Sequence, residues 1–456
     1  MKIYNTQSRQ RELFEPIDPE NILVYVCGPT VYSYAHIGNA RPAVVFDILV
    51  RFLRQRFPKV TYVRNITDID DKINQAASEQ QVEISVITEK FTKAYHDDLS
   101  ALGVLPPSHE PKVTENLDAI IDMIGQLITT GHAYEAEGHV LFSVDSYSDY
   151  GKLSGRDPEE LLAGARVEVA PYKRDAGDFV LWKPSSDDQP GWQSPWGRGR
   201  PGWHIECSAM SARHLAKTID IHGGGHDLIF PHHENERAQS TCVHGGATYA
   251  NYWMHNGFVN VDAEKMSKSI GNVLLVRDLL KQAPGEAIRY VLLNAHYRAP
   301  LDWNDAVLHQ AINALERMYN CLRDMSDIEV DQDVDLPSGF VDALEDDLNT
   351  PKALAEMFAL VKQANMSEDK QEKAFIKSKL LRCGDVLGVL QSSPEEWFSG
   401  SVDDSESAVI DALIAERATA RANKDWSRAD EIRDILNDKN IVIEDGADGV
   451  RWKKIN

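Results

Sequence analysis

NILVYVCGPTVYSYAHIGNAR, Asn21 to Arg41, is the stretch whose reading decides the fold. Its first half, Ile22-Leu23-Val24-Tyr25-Val26, is an unbroken β-branched and aromatic run closed by Cys27-Gly28-Pro29. A run with no polar alternation is expected of a strand covered on both faces, as in a parallel sheet. The second half ends in His36-Ile37-Gly38-Asn39. After it, apolar residues recur at Val45, Ile48, Leu49, Phe52 and Leu53, the spacing of an amphipathic helix. A thiol therefore sits at the carboxyl end of a central strand, and a His/Gly/Asn cluster where the next helix begins. In open α/β sheets that edge is where ligands bind, and helix N-termini attract phosphate.

Working outward, 456 residues are enough for two to four domains, and 43% hydrophobic content is ordinary for a chain with a sizeable core. No run approaches the ~20 apolar residues of a membrane span. The opening MKIYNTQSRQRELF lacks the apolar core and small-residue cleavage site of a secretory signal, so a cytoplasmic location is expected. Five scattered cysteines (Cys27, Cys207, Cys242, Cys321, Cys383) argue against a disulfide framework and leave core packing or metal ligation. A net charge of -23 argues against a nucleic-acid partner, but as a weak veto. Phosphate binding depends on where cations cluster, and an acidic remainder suppresses non-specific adhesion.

Val60 to Arg64 reads as a second strand, with the polar run Asn65-Ile66-Thr67-Asp68-Ile69-Asp70-Asp71-Lys72 at the same sheet edge. Residues 105–200 read as a partly irregular insertion with a basic loop, Arg198-Gly199-Arg200. Ile219-Asp220-Ile221 is a strand running into His222-Gly223-Gly224-Gly225, and three glycines there would let backbone approach a ligand closely. Pro231 suits the first turn of a helix that carries His232 to Arg237. Lys265-Met266-Ser267-Lys268-Ser269 falls in a loop, and from about Leu308 the pattern is almost purely helical. The expected architecture is an α/β parallel-sheet domain over 1–305, with the insertion and a loop region at about 260–305. A helical bundle over 306–391, a linker and a small α/β piece over 405–456 follow.

Two clusters carry chemistry. Cys27, Cys207 and the 232–236 segment each lie at an end of a sheet element, and His232 and Glu236, four apart, would share a helix face. Two thiolates, an imidazole and a carboxylate suit Zn²⁺, with Glu206 and His233 as rival ligands. The plainer reading makes both cysteines small buried hydrophobes. Independently, His36, Gly38 and Asn39 at a helix start, and Lys265 and Lys268 on a loop, could bring positive charge to a phosphate. The bland alternatives are a helix cap and a solvated turn. Their occurrence in this order, over 200 residues apart on one α/β domain, is more specific than either alone.

These residues look like the two signatures of class I aminoacyl-tRNA synthetases. The strings CGPTVY…HIGN, NITDIDDK, GWHIECS, HGGG, FPHHENE and KMSKS resemble cysteinyl-tRNA synthetase in particular. DDLNTP at 346–351 and the DWSRADEIRD…RW tail are similar to that family's anticodon-binding half. Asn39 stands where the class has a second histidine, and Asn can still donate to phosphate. His226 departs from the small polar residue expected in its loop.

The resemblance implies a Rossmann-like catalytic domain, Zn²⁺ on Cys27, Cys207, His232 and Glu236, and Mg²⁺ accompanying ATP. It implies a cysteine–tRNA ligase that activates L-cysteine with ATP and passes it to the 3′-terminal adenosine of tRNA(Cys). His36, Asn39, Lys265 and Lys268 would be catalytic. His36, Gly38, Asn39, Gly223, Gly224, Gly225 and Lys268 would meet ATP, and Thr67, Trp203 and Asp227 the substrate cysteine. A metal that reads sulfur explains how cysteine is told from serine without an editing domain. A monomer is expected. The rivals are a cysteine ligase acting on a small amine acceptor, whose relatives lack most of the anticodon half, and an inactive RNA-binding paralogue. A zinc hydrolase is disfavoured, because His232-His233-Glu234 lacks the histidine pair of the helix-borne hydrolase motif.

Overall fold

The computed structural model of the chain describes residues 1–155, 170–266, 271–331, 334–400, 402, 404–446 and 449–454. An antiparallel hairpin, β1 (Lys2–Asn5) with β2 (Gln10–Leu13), leads into β3 (Ile22–Val26), the helix Ile37–Arg54 and β4 (Val60–Arg64). The run at 22–26 does form a strand buried on both faces. It lies in the middle of a four-stranded parallel sheet, between β4 and β9 (Ile219–Gly225), with β10 (Ala250–Asn256) beyond β9. The hairpin covers the β10 edge. Asn5 donates through Nδ2 to Asn251 O at 2.9 Å and accepts from Trp253 N at 3.1 Å, so backbone that would be left open is paired.

One face of the sheet packs on the helix Ile37–Arg54 and the helix Gly285–Leu293. The other packs on Leu117–Thr129, Trp203–His214 and Glu234–Val243. Between β4 and β9 stands the insertion. Much of it is more regular than its composition suggests: β5 (Ala133–Ala136), β6 (His139–Phe142), β7 (Phe179–Pro184) and β8 (Gly199–Pro201) form an antiparallel sheet. The basic loop is not free surface. Arg198 donates to the carbonyls of Ser185, Ser186 and Gln189, and buried Arg200 reaches Asp71 at 3.0 Å. These cations hold the insertion to itself and to the sheet domain.

After β10 the chain forms β11 (Val259–Val261), β12 (Glu264–Lys265) and, beyond the loop, β13 (Leu301–Trp303), which pairs in parallel with β11. The helices Asp305–Arg323, Ser338–Glu345, Thr350–Met366 and Lys370–Leu387 then make the bundle. A buried arginine joins it to the sheet domain. Arg289 Nη2 donates to Asp47 Oδ2 at 2.5 Å, and its Nε donates to Leu387 O at 2.6 Å. The bundle helix ends on Gly388 at φ +63°, where a Cβ would meet that guanidinium at 2.5 Å, so glycine serves both the turn and the approach.

The stretch read as a linker holds a short capped helix, Pro394–Ser399. The terminal piece packs the helices Asp404–Ala422 and Trp426–Asp438 with the hairpin β14 (Ile441–Gly446) and β15 (Gly449–Lys454) around Ile410, Ile432, Leu436 and Ile441. Several of its cations are committed within the fold: Arg451 pairs with Asp324, Lys453 with Glu316, and Arg428 with Glu416 and Glu431. Arg417 is buried. No helix among the described residues is long and apolar enough to cross a membrane.

Candidate functional site

The segments that follow β3, β9 and β10 open on one cavity of about 420 Å³, lined among others by Cys27, His36, Gly38, Asn39, Trp203, Gly225, Asp227, Phe258 and Met266. Parallel strands place all their carboxyl ends on one edge, so residues far apart in sequence converge there.

On one flank, Cys27, Cys207, His232 and Glu236 bring four donor atoms within 4.8 Å of one another, a cage sized for one metal ion. The two sulfurs are 3.7 Å apart and both cysteines are free. Cys27 Sγ lies 3.3 Å from Glu236 Oε1, and His232 Nε2 lies 2.9 Å from the same oxygen, out of line for a hydrogen bond. The spacing of four between His232 and Glu236 is realised differently from the sequence reading. Pro231 and His232 belong to a π-helical turn, Ile229–His233, with Phe230 in extended backbone, and the α-helix starts only at Glu234. The wider turn still brings the two side chains together.

The cluster holds its charge by mutual compensation. The hydrogen bond with Cys27 lowers the Cys207 thiol to about 6 against the opposing burial. Burial, then Cys207, pushes Cys27 up. Burial also works against the His232 imidazolium, yet the Glu236 carboxylate and Cys207 outweigh it and raise His232 to about 10. His222 and His232 hold Glu236 well below the usual carboxylate range despite burial. Glu206, the rival ligand, is raised well above it by burial and by Cys207. Its carboxyl accepts from Thr67 Oγ1 at 3.2 Å, and it belongs to neither close-packed donor set.

A second set, Cys27, His222, His233 and Glu236, is equally close-packed. Its histidines have other engagements. His233 Nδ1 faces His255 Nε2 at 2.8 Å, and His222 stacks on Tyr25 and approaches Glu236 Oε2 at 3.1 Å. His232, by contrast, is turned to the cluster by its neighbours. Trp203 stacks on its ring at 4.0 Å, and His204 Nδ1 faces its Nδ1 at 2.9 Å. Burial and His232 push His204 down to about 3, so it stays neutral and accepts the Nδ1 proton. Nε2 is then left as the donor atom toward the cluster.

The other flank is the start of the helix Ile37–Arg54. His36 N donates to Asn39 Oδ1 at 3.2 Å, which orients the Asn39 amide and leaves its NH₂ as donor. A Cβ on Gly38 would lie 2.9 Å from both His36 Nδ1 and Met266 Cε, so the two signatures touch at this glycine. Of the three glycines that end β9, only Gly225 lines the cavity, where its bare Cα admits the Asp227 carboxylate to 2.4 Å of a Cβ position. Gly223 makes room for the Phe46 ring, and Gly224 for His233 and Leu228, inside the fold. Thr67 is buried beside Glu206 and Asn65 rather than on the cavity wall. The backbone of Lys265 lies in β12, and Lys268 lies outside the described residues.

Sequence reasoning passed over His204, His222 and Tyr249, whose hydroxyl donates to Glu236 Oε2 at 3.3 Å. The available signal for His222 was a polar residue in the middle of a strand covered on both sides.

The tRNA synthetases class I (C) catalytic domain family matches residues 13–313, the DALR domain family 339–391, and the cysteinyl-tRNA ligase anticodon binding domain family 403–452. The cysteine–tRNA ligase of Parvibaculum lavamentivorans is 58% identical, with 99% of this chain and 97% of that protein covered. That of Xanthomonas campestris pv. campestris is 57% identical over 100% and 99%. Among solved structures, Mycobacterium tuberculosis methionyl-tRNA synthetase superposes with a TM-score of 0.58 at 15% identity, covering 81% of this chain and 89% of that one. A leucyl enzyme of Agrobacterium radiobacter gives 0.60 at 13%, covering 82% and 84%; both show the shared fold. The chain belongs to the cysteine–tRNA ligase family of class I aminoacyl-tRNA synthetases.

Proposed function

We propose that the chain, acting as a cytoplasmic monomer, charges tRNA(Cys) by using Cys27, Cys207, His232 and Glu236 to hold Zn²⁺ as the reader of the substrate's sulfur. The single observation that carries this is the donor geometry. Around a tetrahedral ion with Zn–S bonds of about 2.3 Å, two sulfurs stand about 3.8 Å apart, and the two cysteines are 3.7 Å apart. Cys27 is the half-buried ligand and faces the cavity, which gives a substrate thiol its approach. Bound there, Zn²⁺ supplies a soft Lewis-acid position that takes a thiolate strongly and a hydroxyl weakly, which separates cysteine from serine.

The chain's own residues do the rest. Trp203 and Asp227 line the path between this cluster and the nucleotide flank, where Asp227 can meet the substrate ammonium. The amino-acid carboxylate oxygen attacks the α-phosphorus of ATP, whose bond to the bridging oxygen breaks, and pyrophosphate leaves with Mg²⁺. His36, Asn39, the helix N-terminus and Lys268 stabilise the charge on the phosphates, with Lys265 supporting the loop. The terminal ribose hydroxyl of tRNA then attacks the activated carbonyl carbon, AMP leaves with the bonding electrons, and the hydroxyl proton passes to solvent or phosphate. Holding the reactants in line accounts for rate without a dedicated base.

The test is metal analysis of the purified protein beside cysteine-dependent pyrophosphate exchange and tRNA charging, before and after chelation. One zinc per chain and chelator-sensitive charging are expected. Full-rate charging by metal-free protein would overturn the sulfur-reading role, and exchange without charging would point to a small acceptor.

A further inference from the structure

Arg41 lies two residues beyond the His36–Asn39 signature, in the second turn of the helix, and is fully buried. Burial pushes it down to about 10, so it is still charged at neutral pH. No carboxylate among the described residues pairs with it. Instead Nη1 donates to Gly257 O and Phe258 O, both at 2.8 Å, and Nη2 to Ala299 O at 2.7 Å and His296 O at 3.3 Å. A buried cation held only by carbonyls is a costly arrangement, and its carbonyls belong to two chain segments that have one thing in common. Gly257-Phe258 is the root of β11, and His296 to Ala299 is the root of β13, its parallel partner. From β11 the chain turns into β12, which carries Lys265 into the second signature.

The far end of that loop is fastened to the same place. Ile37 N donates to Leu274 O at 2.9 Å, and Val276 N to Ala35 O at 3.0 Å. The chain thus leaves the second turn of the first-signature helix at Gly257 and returns to its first residue at Leu274, so both roots of the loop stand on one helix.

We infer that Arg41 is a positioning residue: its guanidinium fork sets the register of the second signature against the first by clamping the roots of β11 and β13. Lysine cannot replace it, because one ammonium has three protons and a single centre, whereas four carbonyls on two segments need a planar fork. The clamp acts on the nucleotide flank alone. Its loss should slow adenylate formation, in which Lys268 must meet phosphate, and spare the cysteine-reading flank. This rests on the proposed role of the second signature.

The experiment compares wild type, R41K and R41Q after active-site titration. The expected result is a roughly 10- to 100-fold lower kcat for cysteine-dependent pyrophosphate exchange per active site. The KM for cysteine, the zinc content, and the single-turnover transfer from preformed cysteinyl-adenylate to tRNA should all stay within about threefold. R41K should not rescue the rate. A loss that disappears once activity is scaled to active sites, or that falls equally on transfer, would overturn the inference. If the variants fail to fold, hydrogen exchange of the wild type decides. Backbone amides at 258–261 and 301–303 should be as protected as those of the helix Ile37–Arg54, and fast exchange there would exclude a clamp. Absence of exchange activity in the wild type would instead sink the catalytic reading itself, which keeps the two failures distinct.

Discussion

On the metal flank, Cys207, His232 and Glu236 are inaccessible and each has a further side chain against it; on the nucleotide flank, His36, Gly38 and Asn39 stand half-buried at a helix start and meet Met266 from a loop. The first flank's four donor atoms are brought together by the end of β3 and by described helices alone. The second is completed by a segment that leaves and re-enters the helix it faces. The difference follows from what each must do. On the proposed reading, telling cysteine from serine needs soft ligands held in place by the fold with one, Cys27, open to the cavity, whereas the phosphate needs donors brought to it from more than one segment.

The largest break in this comparison comes from a ligand. Cys207→Ser puts a hard, protonated hydroxyl where a thiol is already lowered to about 6. Zinc content should fall to background and cysteine-dependent exchange by roughly 10³-fold or more, since the site's discrimination and its activation go together. Metal analysis with steady-state exchange measures both. Retained zinc would move the site to the His222–His233 set, for which the matching variant is His222→Asn.

Gly38→Ala strikes the opposite flank. Its new methyl would stand 2.9 Å from both His36 Nδ1 and Met266 Cε, so one of the two signatures has to give way. Adenylate formation should drop about 10- to 100-fold with a raised KM for ATP, while zinc content and the KM for cysteine hold. If cysteine affinity fell with it, the two flanks would not be independent. His204→Ala leaves the Nδ1 proton of His232 without its acceptor. Zinc affinity by chelator competition should fall about 10- to 100-fold, as for other outer partners of metal-bound histidines, with little change in Tm.

The two flanks also differ in how far they were legible. The run at Ile22–Val26 and the helical spacing after His36 place the sheet edge because they are local patterns of polarity. The metal set was readable only as widely spaced candidates, since no short motif joins Cys27 to Cys207. What separates Glu236 from Glu206 is geometry: only Glu236 brings its carboxylate among the other donor atoms, a consequence of packing. Arg198 and Arg200 read only as a basic loop because their partners are not predictable from spacing; one of them, Asp71, is 129 residues from Arg200. The π-turn at Ile229–His233 was hidden because Pro231 fits an ordinary helix start equally well. Gly223 and Gly224 read as ligand-facing because a missing side chain does not say whether a ligand or the Phe46 ring takes the space.

Trp203 stands on the boundary between the flanks and sharpens the comparison most finely. It is 40% exposed, lines the cavity, and stacks on His232 at 4.0 Å with the rings 20° apart. Stacking of this kind contributes about 1 kcal/mol beyond the area it covers, and the indole also walls the path to the cluster. If the indole packs on the substrate as it does on His232, Trp203→Ala should raise the KM for cysteine by about fivefold, the equivalent of about 1 kcal/mol of lost substrate contact. Zinc content and the KM for ATP should remain as in wild type, with Trp203→Phe in between. Isothermal titration of a non-reactive cysteine analogue, beside metal analysis of the same sample, separates the two contributions. Zinc loss would make the ring a support of the metal ligand, whereas weakened analogue binding with full zinc would make it part of the amino-acid pocket.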